Sequence, residues 1–333
     1  MKQIQLSHGG GGQEMNSLIH DLFFRHFAND ILLKTEDAAV LPTNGKIAFT
    51  TDSFTVAPIF FAGGDIGKLA IAGTVNDLAM MGAKPEYLSC SFMIEEGFNY
   101  AELKTIVQSM QKELEVSGAK IVCGDTKVVP KGTLDGVFIN TTGVGSFYHQ
   151  QTLSASAIQD GDAILVSRDI GCHGSCILMA RDALKLASDL TSDCATLWPV
   201  VEALLDKNIT VRTLRDATRG GISAVLNEWC ELSKVEMNIN EADIPVSDEV
   251  KGLCELYGFE PYDLANEGTM VIAVPQAEVE ATLAVLRHFS ASASHIGNAA
   301  HNQDGNHKVI LHSPWGSRRY LELPQGELLP RIC

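Results

Sequence analysis

Residues 65–94, DIGKLAIAGTVNDLAMMGAKPEYLSCSFMI, decide the fold class because they join one helix to one strand. Asp65 is suited to cap a helix, which we expect to run to about Met81 and to end at Gly82. Residues 87–94 then have the composition of a strand. A helix followed closely by a strand is the repeating unit of α/β and α+β domains.

The alternation continues on both sides of this stretch. The other predicted elements are helices at 14–27, 99–117, 175–187, 197–207 and 222–232 and strands at 46–51, 120–123, 137–142, 163–167, 270–274 and 309–312. The polar stretch 147–161 is the candidate domain boundary. We therefore predict an α/β (α+β) fold with two domains. The predicted division is an N-terminal segment with a glycine-rich loop and a helix at 1–35, an N-terminal domain at 36–150, a C-terminal α/β domain at 151–323 and a mobile tail at 324–333.

Composition limits the classes of partner. The chain has 333 residues, 45% of them hydrophobic, and a net charge of −16. A strongly acidic chain without a basic cluster disfavours nucleic acid and anionic membranes as partners. Its apolar runs are far shorter than the roughly 18 residues of a membrane span, and the N-terminus lacks a signal-peptide core. We expect a soluble cytoplasmic protein, in which most cysteines serve as small buried hydrophobes.

Four aspartates next to small or polar residues form the strongest chemical pattern. They are Asp37, Asp52, Asp77 and Asp125. Carboxylates at strand ends hold Mg²⁺ and, through it, a polyphosphate. Two like charges about 4 Å apart repel by about 4 kcal/mol at an effective dielectric constant of 20, so the cluster requires a cation. The alternative is that each aspartate only caps a turn or a helix.

Other residues are candidates for phosphate binding or proton transfer. The glycine run 9–12 precedes a helix and either cradles phosphates or is a flexible linker. Lys68 either neutralises phosphate charge or is a solvated surface lysine, and Lys127 either stabilises a transferring phosphoryl group or takes a proton. Glu267 lies just before a strand, where it could also be no more than a turn carboxylate, and Asp216 with Arg219 marks an anion site or a helix start.

Cysteines supply two more features. Cys172 and Cys176 flank His173, but no second Cys/His pair at zinc spacing accompanies them, which disfavours a metal site. Cys333 follows Pro330 in a tail that we expect to be extended, so it is predicted to carry an exposed thiol on a movable arm. Ten extended residues reach about 33 Å.

These pieces occur in an order that resembles one family. The motifs are HGGGGQ at 8–13, EDAAV at 36–40, TTDS at 50–53, GGDIGKLA at 63–70, NDLA at 76–79, GDTKVV at 124–129, RDATRGG at 215–221, ANEG at 265–268 and PRIC at 330–333. Across the chain they resemble the HypE family of hydrogenase maturation factors, and PRIC is the most specific of them. The rest are similar to the wider superfamily of aminoimidazole ribonucleotide synthetase, selenophosphate synthetase and thiamine-monophosphate kinase. Two aspartates commonly precede Ala-Ala-Val in this superfamily, whereas this chain has Glu36 followed by Asp37. The departure affects one minor metal contact.

The resemblance implies a homodimer paired through the N-terminal domain, with ATP and Mg²⁺ bound beside the interface. Its implied metal ligands are Asp37, Asp52, Asp77 and Asp125. Its implied nucleotide-binding residues are Gly10, Gly11, Asp52, Lys68, Asn76, Asp77, Gly124 and Asp125. Its implied catalytic residues are Cys333, Lys127 and Glu267, with proton transfer divided between Lys127 and Glu267.

The reaction that the resemblance implies is an ATP-dependent dehydration of an S-carboxamide on Cys333 to a thiocyanate. The product supplies the cyanide ligand of [NiFe]-hydrogenase. The implied partners are a HypF-like carbamoyltransferase as donor and a HypC–HypD-like scaffold complex as acceptor. Two alternatives stay open. One is an ATP enzyme acting on a free small molecule, although selenophosphate synthetase has a reactive cysteine near its N-terminus and residues 1–30 contain none. The other is a non-catalytic carrier of a thiol-bound group.

Overall fold

The computed structural model describes most of the chain, namely residues 3–5, 8, 17–34, 45–147, 149, 151, 153–181, 188–301, 305, 307–323, 329 and 331–333. Within these ranges the strands are β1 Ile47–Phe54, β2 Phe60–Phe61, β3 Gly64–Asp65, β4 Lys84–Glu95, β5 Lys120–Val129, β6 Val137–Ser146, β7 Ala163–Val166, β8 Thr213–Asp216, β9 Glu236–Asn240, β10 Met270–Val274, β11 Ser294–Ala300, β12 Val309–His312 and β13 Arg318–Tyr320. The helices are α1 Ile66–Met80, α2 Tyr100–Ser117, α3 Cys172–Arg181, α4 Trp198–Asp206, α5 Gly221–Ser233, α6 Asp248–Tyr257 and α7 Val279–Phe289. None of the helices in the described ranges is long and apolar enough to cross a membrane.

The N-terminal domain is a sheet with helices on one face. The strand order is β1-β6-β4-β5, with β4 and β5 parallel and the other neighbours antiparallel. Helices α1 and α2 contact each other, and α1 also contacts β1, β4 and β6. Helix α1 begins at Asp65, whose side chain accepts hydrogen bonds from the backbone N–H groups of Gly67 and Lys68. Almost every residue of α1 is buried, because the sheet covers one side of it and the C-terminal domain the other.

The C-terminal domain is a seven-stranded sheet in the order β13-β12-β9-β11-β7-β10-β8. Its pairs are antiparallel except for β9 and β12. Strands β7 and β10 are buried along their whole length, as their continuous apolar sequences require. One hydrophobic core includes residues of both domains, among them Leu69, Ile71, Trp198 and Leu204, so α1 lies at the boundary of the two.

Several predicted boundaries were wrong. Strand β1 was expected to end at residue 51 and β5 at residue 123, but they continue to Phe54 and Val129. Asp52 and Asp125 are therefore inside strands, where β6 pairs with Asp52 and β4 with Asp125. The described part of the predicted helix 14–27 contains a π-helix, Ile19–Phe24, followed by the short helix Arg25–Phe27.

The second half contains more elements than were predicted. The helix expected at 175–187 begins earlier, at Cys172, and residues 182–187 of that prediction lie outside the described residues. Strands β8, β9, β11 and β13 and helices α6 and α7 were not predicted. Most of these strands have only three to five residues, too few to establish a period from sequence alone.

Candidate active site

Asp52 and Asp77 face each other where β1 passes α1. Asp52 lies on the side of the sheet that α1 covers, and Thr50 Oγ1 donates a hydrogen bond of 2.6 Å to Asp77 Oδ2. Partial burial raises the pKa of both carboxyl groups, and the charge of Asp77 raises the pKa of Asp52 further. A cation between them would remove this repulsion, and Mg²⁺ typically binds proteins through one or two carboxylates plus substrate phosphates.

Asp216 adds a third carboxyl group, which the sequence placed at an anion site or helix start. It ends β8 and is 8% exposed. Burial raises its pKa to about 7, helped by the charges of Asp77 and Asp52 and opposed by Arg215. Asp216 therefore belongs to the same acidic cleft. The contact between α1 and β8 brings Asp216 to the other two aspartates. No local pattern in the sequence predicts that contact.

Glu267 lies in a rigid loop just before β10. The carboxylate of Asp193 accepts hydrogen bonds from the N–H groups of Glu267 and Gly268, at 3.1 and 2.9 Å, and from Thr269 Oγ1 at 2.8 Å. A Cβ at Gly268 would lie 1.9 Å from the backbone oxygen of Asp193, so only glycine fits there. Asp193 was not singled out from the sequence, yet it holds the loop that carries Glu267.

The Glu267 side chain is buried and has an open acceptor. It is 3% exposed, and in the described part of the chain no donor lies within hydrogen-bond distance of Oε1. Burial raises the pKa of Glu267 well above its usual range, and the charges of Asp216, Asp193 and Asp52 raise it further. A buried carboxyl group with a raised pKa and a free oxygen has the properties of a general base or acid.

The chain's last residues bind inside this cleft. Residues 331–333 run antiparallel to residues 55–57, where the Thr55 N–H donates to Cys333 O at 3.0 Å and the Ala57 N–H to Arg331 O at 3.1 Å. Arg331 Nε donates to Thr55 O at 2.8 Å, and its Nη1 lies 2.7 Å from Asp135. The Ile332 side chain is buried in the core that the two domains share.

The prediction of an exposed thiol on Cys333 was wrong for this conformation. The residue is half-buried and packs against the shared core. Burial raises the pKa of the Cys333 thiol to about 12, and Glu267 is the charged group that raises it most. The structure therefore places the Cys333 thiol close enough to Glu267 for that charge to raise its pKa, with the thiol partly withdrawn from water.

Asp125 and Lys127 lie elsewhere. They are on the face of β5 that points away from the helices, and Lys127 Nζ donates to Asp125 Oδ1 at 2.8 Å. This hydrogen bond lowers the pKa of Asp125. Strand β5 is at the opposite edge of the sheet from β1, so within one chain Asp125 does not join Asp52 and Asp77 in a metal site. A Cβ at Gly124 would lie 2.3 Å from Cys90 O, so close strand pairing explains this glycine.

Asn76 and Lys68 have partners within the chain. The buried Asn76 amide donates to Ala195 O at 3.1 Å and accepts from the Leu197 N–H at 2.7 Å, which ties α1 to the loop before α4. These contacts hold the Asn76 amide within the chain, and its place near the phosphates stays a prediction. Lys68 Nζ donates a hydrogen bond of 3.1 Å to Gly63 O. An ammonium group has three N–H donors, so Lys68 can also bind an anion.

The remaining candidates are settled only in part. Asp37, Gly10 and Gly11 lie outside the described residues. Within the described ranges, no three His, Cys, Asp or Glu side chains are close enough together to hold a metal ion. Cys172 Sγ donates to Asp169 and Cys176 Sγ to Ala62 O, an arrangement unlike a zinc site.

Comparisons with known proteins match nearly the whole chain. Models of the AIR synthase related protein family match residues 35–147 (N-terminal domain) and 159–310 (C-terminal domain). Carbamoyl dehydratase HypE of Escherichia coli strain K12 is 43% identical over 100% of both chains. A crystal structure of hydrogenase maturation protein HypE in complex with ATP aligns with a TM-score of 0.95, at 43% identity and over 99% of both chains.

A third relative was solved with another protein. The chain aligns with a crystal structure of a HypE–HypF complex with a TM-score of 0.80 and 41% identity, over 92% of this chain and 100% of that one. High identity over the full length of such relatives shows the family. The chain belongs to the HypE family of carbamoyl dehydratases, which act in hydrogenase maturation.

Proposed function

We propose that the chain uses ATP to convert an S-carboxamide on Cys333 into a thiocyanate, the precursor of the cyanide ligand of [NiFe]-hydrogenase. One observation carries this proposal. Cys333 is held in an acidic cleft beside Glu267, whose Oε1 has no hydrogen-bond donor among the described residues. The ATP complex of a relative with 43% identity supports ATP as the co-substrate.

The proposed reaction balances as carboxamide plus ATP to thiocyanate, ADP, hydrogen phosphate and one proton. The amide oxygen attacks the γ-phosphate, so the oxygen leaves as phosphate instead of as hydroxide. Both amide protons leave the nitrogen as the C≡N bond forms: one ends on the departing phosphate and the other on a base, which passes it to solvent. Glu267 is the group of this chain beside the sulfur that accepts a proton, and its raised pKa makes its carboxylate a stronger base than ordinary glutamate.

Mg²⁺ fits the carboxylates that the structure does describe. Asp52 and Asp77 repel each other in a partly buried site, and we propose that they hold Mg²⁺ together with Asp37 and the phosphates. When bound, Mg²⁺ neutralises phosphate charge and screens the cleft. We propose that Lys68 at the start of α1 contacts the phosphates, because its Nζ makes one hydrogen bond, to Gly63 O, and has further N–H donors.

The outer face of the N-terminal sheet supports a homodimer. No helix covers it in the described ranges, and Phe49 and Met93 on it are 68% and 41% exposed. An open apolar sheet face of this kind favours pairing with a second copy. Asp125 and Lys127 lie on the same face. In a dimer they would lie next to the partner chain, where we propose that they contact nucleotide or substrate.

The partners follow from the reaction and the relatives. A HypF-like carbamoyltransferase would load Cys333, in line with the HypE–HypF complex of a relative. A HypC–HypD-like scaffold complex would accept the cyanide group. The cytoplasmic location remains a prediction.

Intact mass spectrometry tests the proposal. The chain is mixed with a HypF-like carbamoyltransferase, carbamoyl phosphate and ATP, with and without Mg²⁺. We expect the mass of a carbamoyl group to be gained, followed by the loss of one water only with ATP and Mg²⁺. Cys333→Ala should gain nothing, whereas Cys230→Ala, which removes a thiol from the separate hydrophobic core of the C-terminal domain, should behave as the wild type. ATP hydrolysis without a mass change would favour an enzyme that acts on a free substrate. The absence of both ATP hydrolysis and a mass change would favour a non-catalytic carrier.

A further inference from the structure

His173 connects the docked tail to the loop that carries the base. It lies on α3 and is completely buried. Its Nε2 is 2.8 Å from Ile332 O, and its Nδ1 is 2.7 Å from Ser192 Oγ. Ser192 precedes Asp193, the residue that fixes the Glu267 loop. The reaction proposed above leaves His173 without a role.

The hydrogen bonds determine the state of the imidazole. Ile332 O is a carbonyl oxygen and only accepts, so Nε2 carries the proton and donates it. Burial lowers the pKa of His173, which keeps the ring neutral and leaves Nδ1 as an acceptor. The Ser192 hydroxyl then donates to Nδ1 and accepts from the Cys194 N–H at 3.0 Å. Phe61 contacts the ring edge-to-face at 5.3 Å and limits its rotation.

The tail has other contacts, but they are of a different kind. Arg181 Nη2 donates to Arg331 O at 2.7 Å, and Arg331 pairs with Asp135, a residue exposed to solvent. Water replaces such contacts when they break. The bond from Nε2 of His173 differs from these, because with the tail docked the ring has no exposed surface and the bond is made away from water. If the tail leaves, this N–H loses its acceptor in the protein.

We propose that His173 is a positioning residue that favours the docked tail and sets the location of Cys333 next to Glu267. Its two hydrogen bonds join the backbone of residue 332 to the segment 192–193, so the sulfur and the base are fixed relative to each other through one ring. The inference deepens the proposed function, since it assigns the docking step of that same reaction. Docking is measured separately from dehydration, because alkylation of Cys333 requires no carbamoyl group.

Alkylation of Cys333 measures docking directly. Iodoacetamide is added to the full chain without nucleotide, and the modified cysteine is identified by peptide mass. We expect His173→Leu, which keeps an apolar side chain of similar size and removes both ring nitrogens, to speed Cys333 alkylation about tenfold, as the loss of one buried hydrogen bond implies. His173→Gln, which restores a donor, should recover part of the wild-type rate. His312→Leu, which removes a hydrogen bond to Asn238 in the C-terminal sheet, is the control and should leave the rate unchanged.

A merely structural role gives another pattern. An unchanged Cys333 alkylation rate in folded His173→Leu would overturn the proposal, and so would a parallel rise at buried Cys194 and Cys230, because that would indicate general loosening. A second readout is single-turnover dehydration of the carbamoylated chain. We expect a lower maximal rate constant, with the ATP concentration that gives half of it unchanged. If the wild type never dehydrates a carboxamide while the alkylation pattern holds, the proposed function fails and the positioning role of His173 stands.

Discussion

Replacing Asp216 by Asn is expected to stabilise the chain without ATP and Mg²⁺ at alkaline pH and to change little at acid pH. Asp216 is buried, and its pKa is raised from 3.8 to about 7, first by burial and then by Asp77. Because the folded state holds the proton more tightly than the unfolded state, stability falls as pH rises from about 4 to about 7 and stays lower above that. Asparagine cannot ionise, so it removes this loss.

The size of the effect follows from the pKa. Each pKa unit corresponds to about 1.4 kcal/mol, so a rise from 3.8 to about 7 gives an upper limit of about 4 kcal/mol. Rearrangement of the cleft and entry of water reduce this value, and we expect roughly 2 to 4 kcal/mol. Adding Mg²⁺ and ATP should shrink the gain, because a cation at Asp52 and Asp77 screens two of the charges that raise this pKa.

Denaturant unfolding at about pH 4 and about pH 8, the two sides of this window, measures the effect as a difference between the two conditions. Asp125→Asn is the control, because Asp125 is exposed and the hydrogen bond from Lys127 lowers its pKa. Its substitution should give a small effect of opposite sign. An equal change at both pH values for Asp216→Asn, or a loss at alkaline pH, would refute the view that Asp216 is destabilised by ionisation in an acidic cleft.

Three further substitutions test other parts of the site. Glu267→Gln should load a carbamoyl group but not dehydrate it, and full dehydration by this variant, measured by intact mass, would contradict the assignment. The wild-type dehydration rate should rise with pH well above the ordinary glutamate pKa, because burial raises the pKa that must be passed before Glu267 ionises. Arg331→Glu puts a negative charge beside Asp135 and removes the bond to Thr55 O, so Cys333 alkylation should accelerate and dehydration slow, and an unchanged alkylation rate would exclude Arg331 from docking. Phe49→Asp should convert a dimer to a monomer in light scattering, and a persisting dimer would show that this face is not the interface.

Local signals in the sequence predicted the helices of the first domain well. Asp65 and Asn99 cap helices through their side chains, and Gly118 ends α2 with φ 74°, all as their residue types favour. These signals act within a few residues, so sequence contains them completely. The same holds for the strands whose apolar runs were long enough to recognise, such as β10.

The composition of the site depended on contacts that sequence does not contain. Asp52 and Asp125 each follow a similar strand motif, yet they lie on opposite faces of the sheet, because the face is set by register and a shift of one residue reverses it. Asp193 binds the Glu267 loop 74 positions away, and His173 binds the backbone of Ile332, 159 positions away. Their importance follows from burial and hydrogen bonding, which no short motif encodes.

The acid–base properties of the docked tail divide the proposed reaction into two places. With a pKa of about 12, the docked thiol is ionised in only about one molecule in 10⁵ at neutral pH, and the thiolate is the nucleophile that takes up a carbamoyl group. We therefore expect the undocked tail to be the form that is loaded. Once carbamoylated, the sulfur has no proton to lose, so its burial near Glu267 no longer involves an ionisation. The cleft that lowers the reactivity of the free thiol thus accepts the neutral carboxamide, and it holds that group beside the base that the proposed dehydration requires.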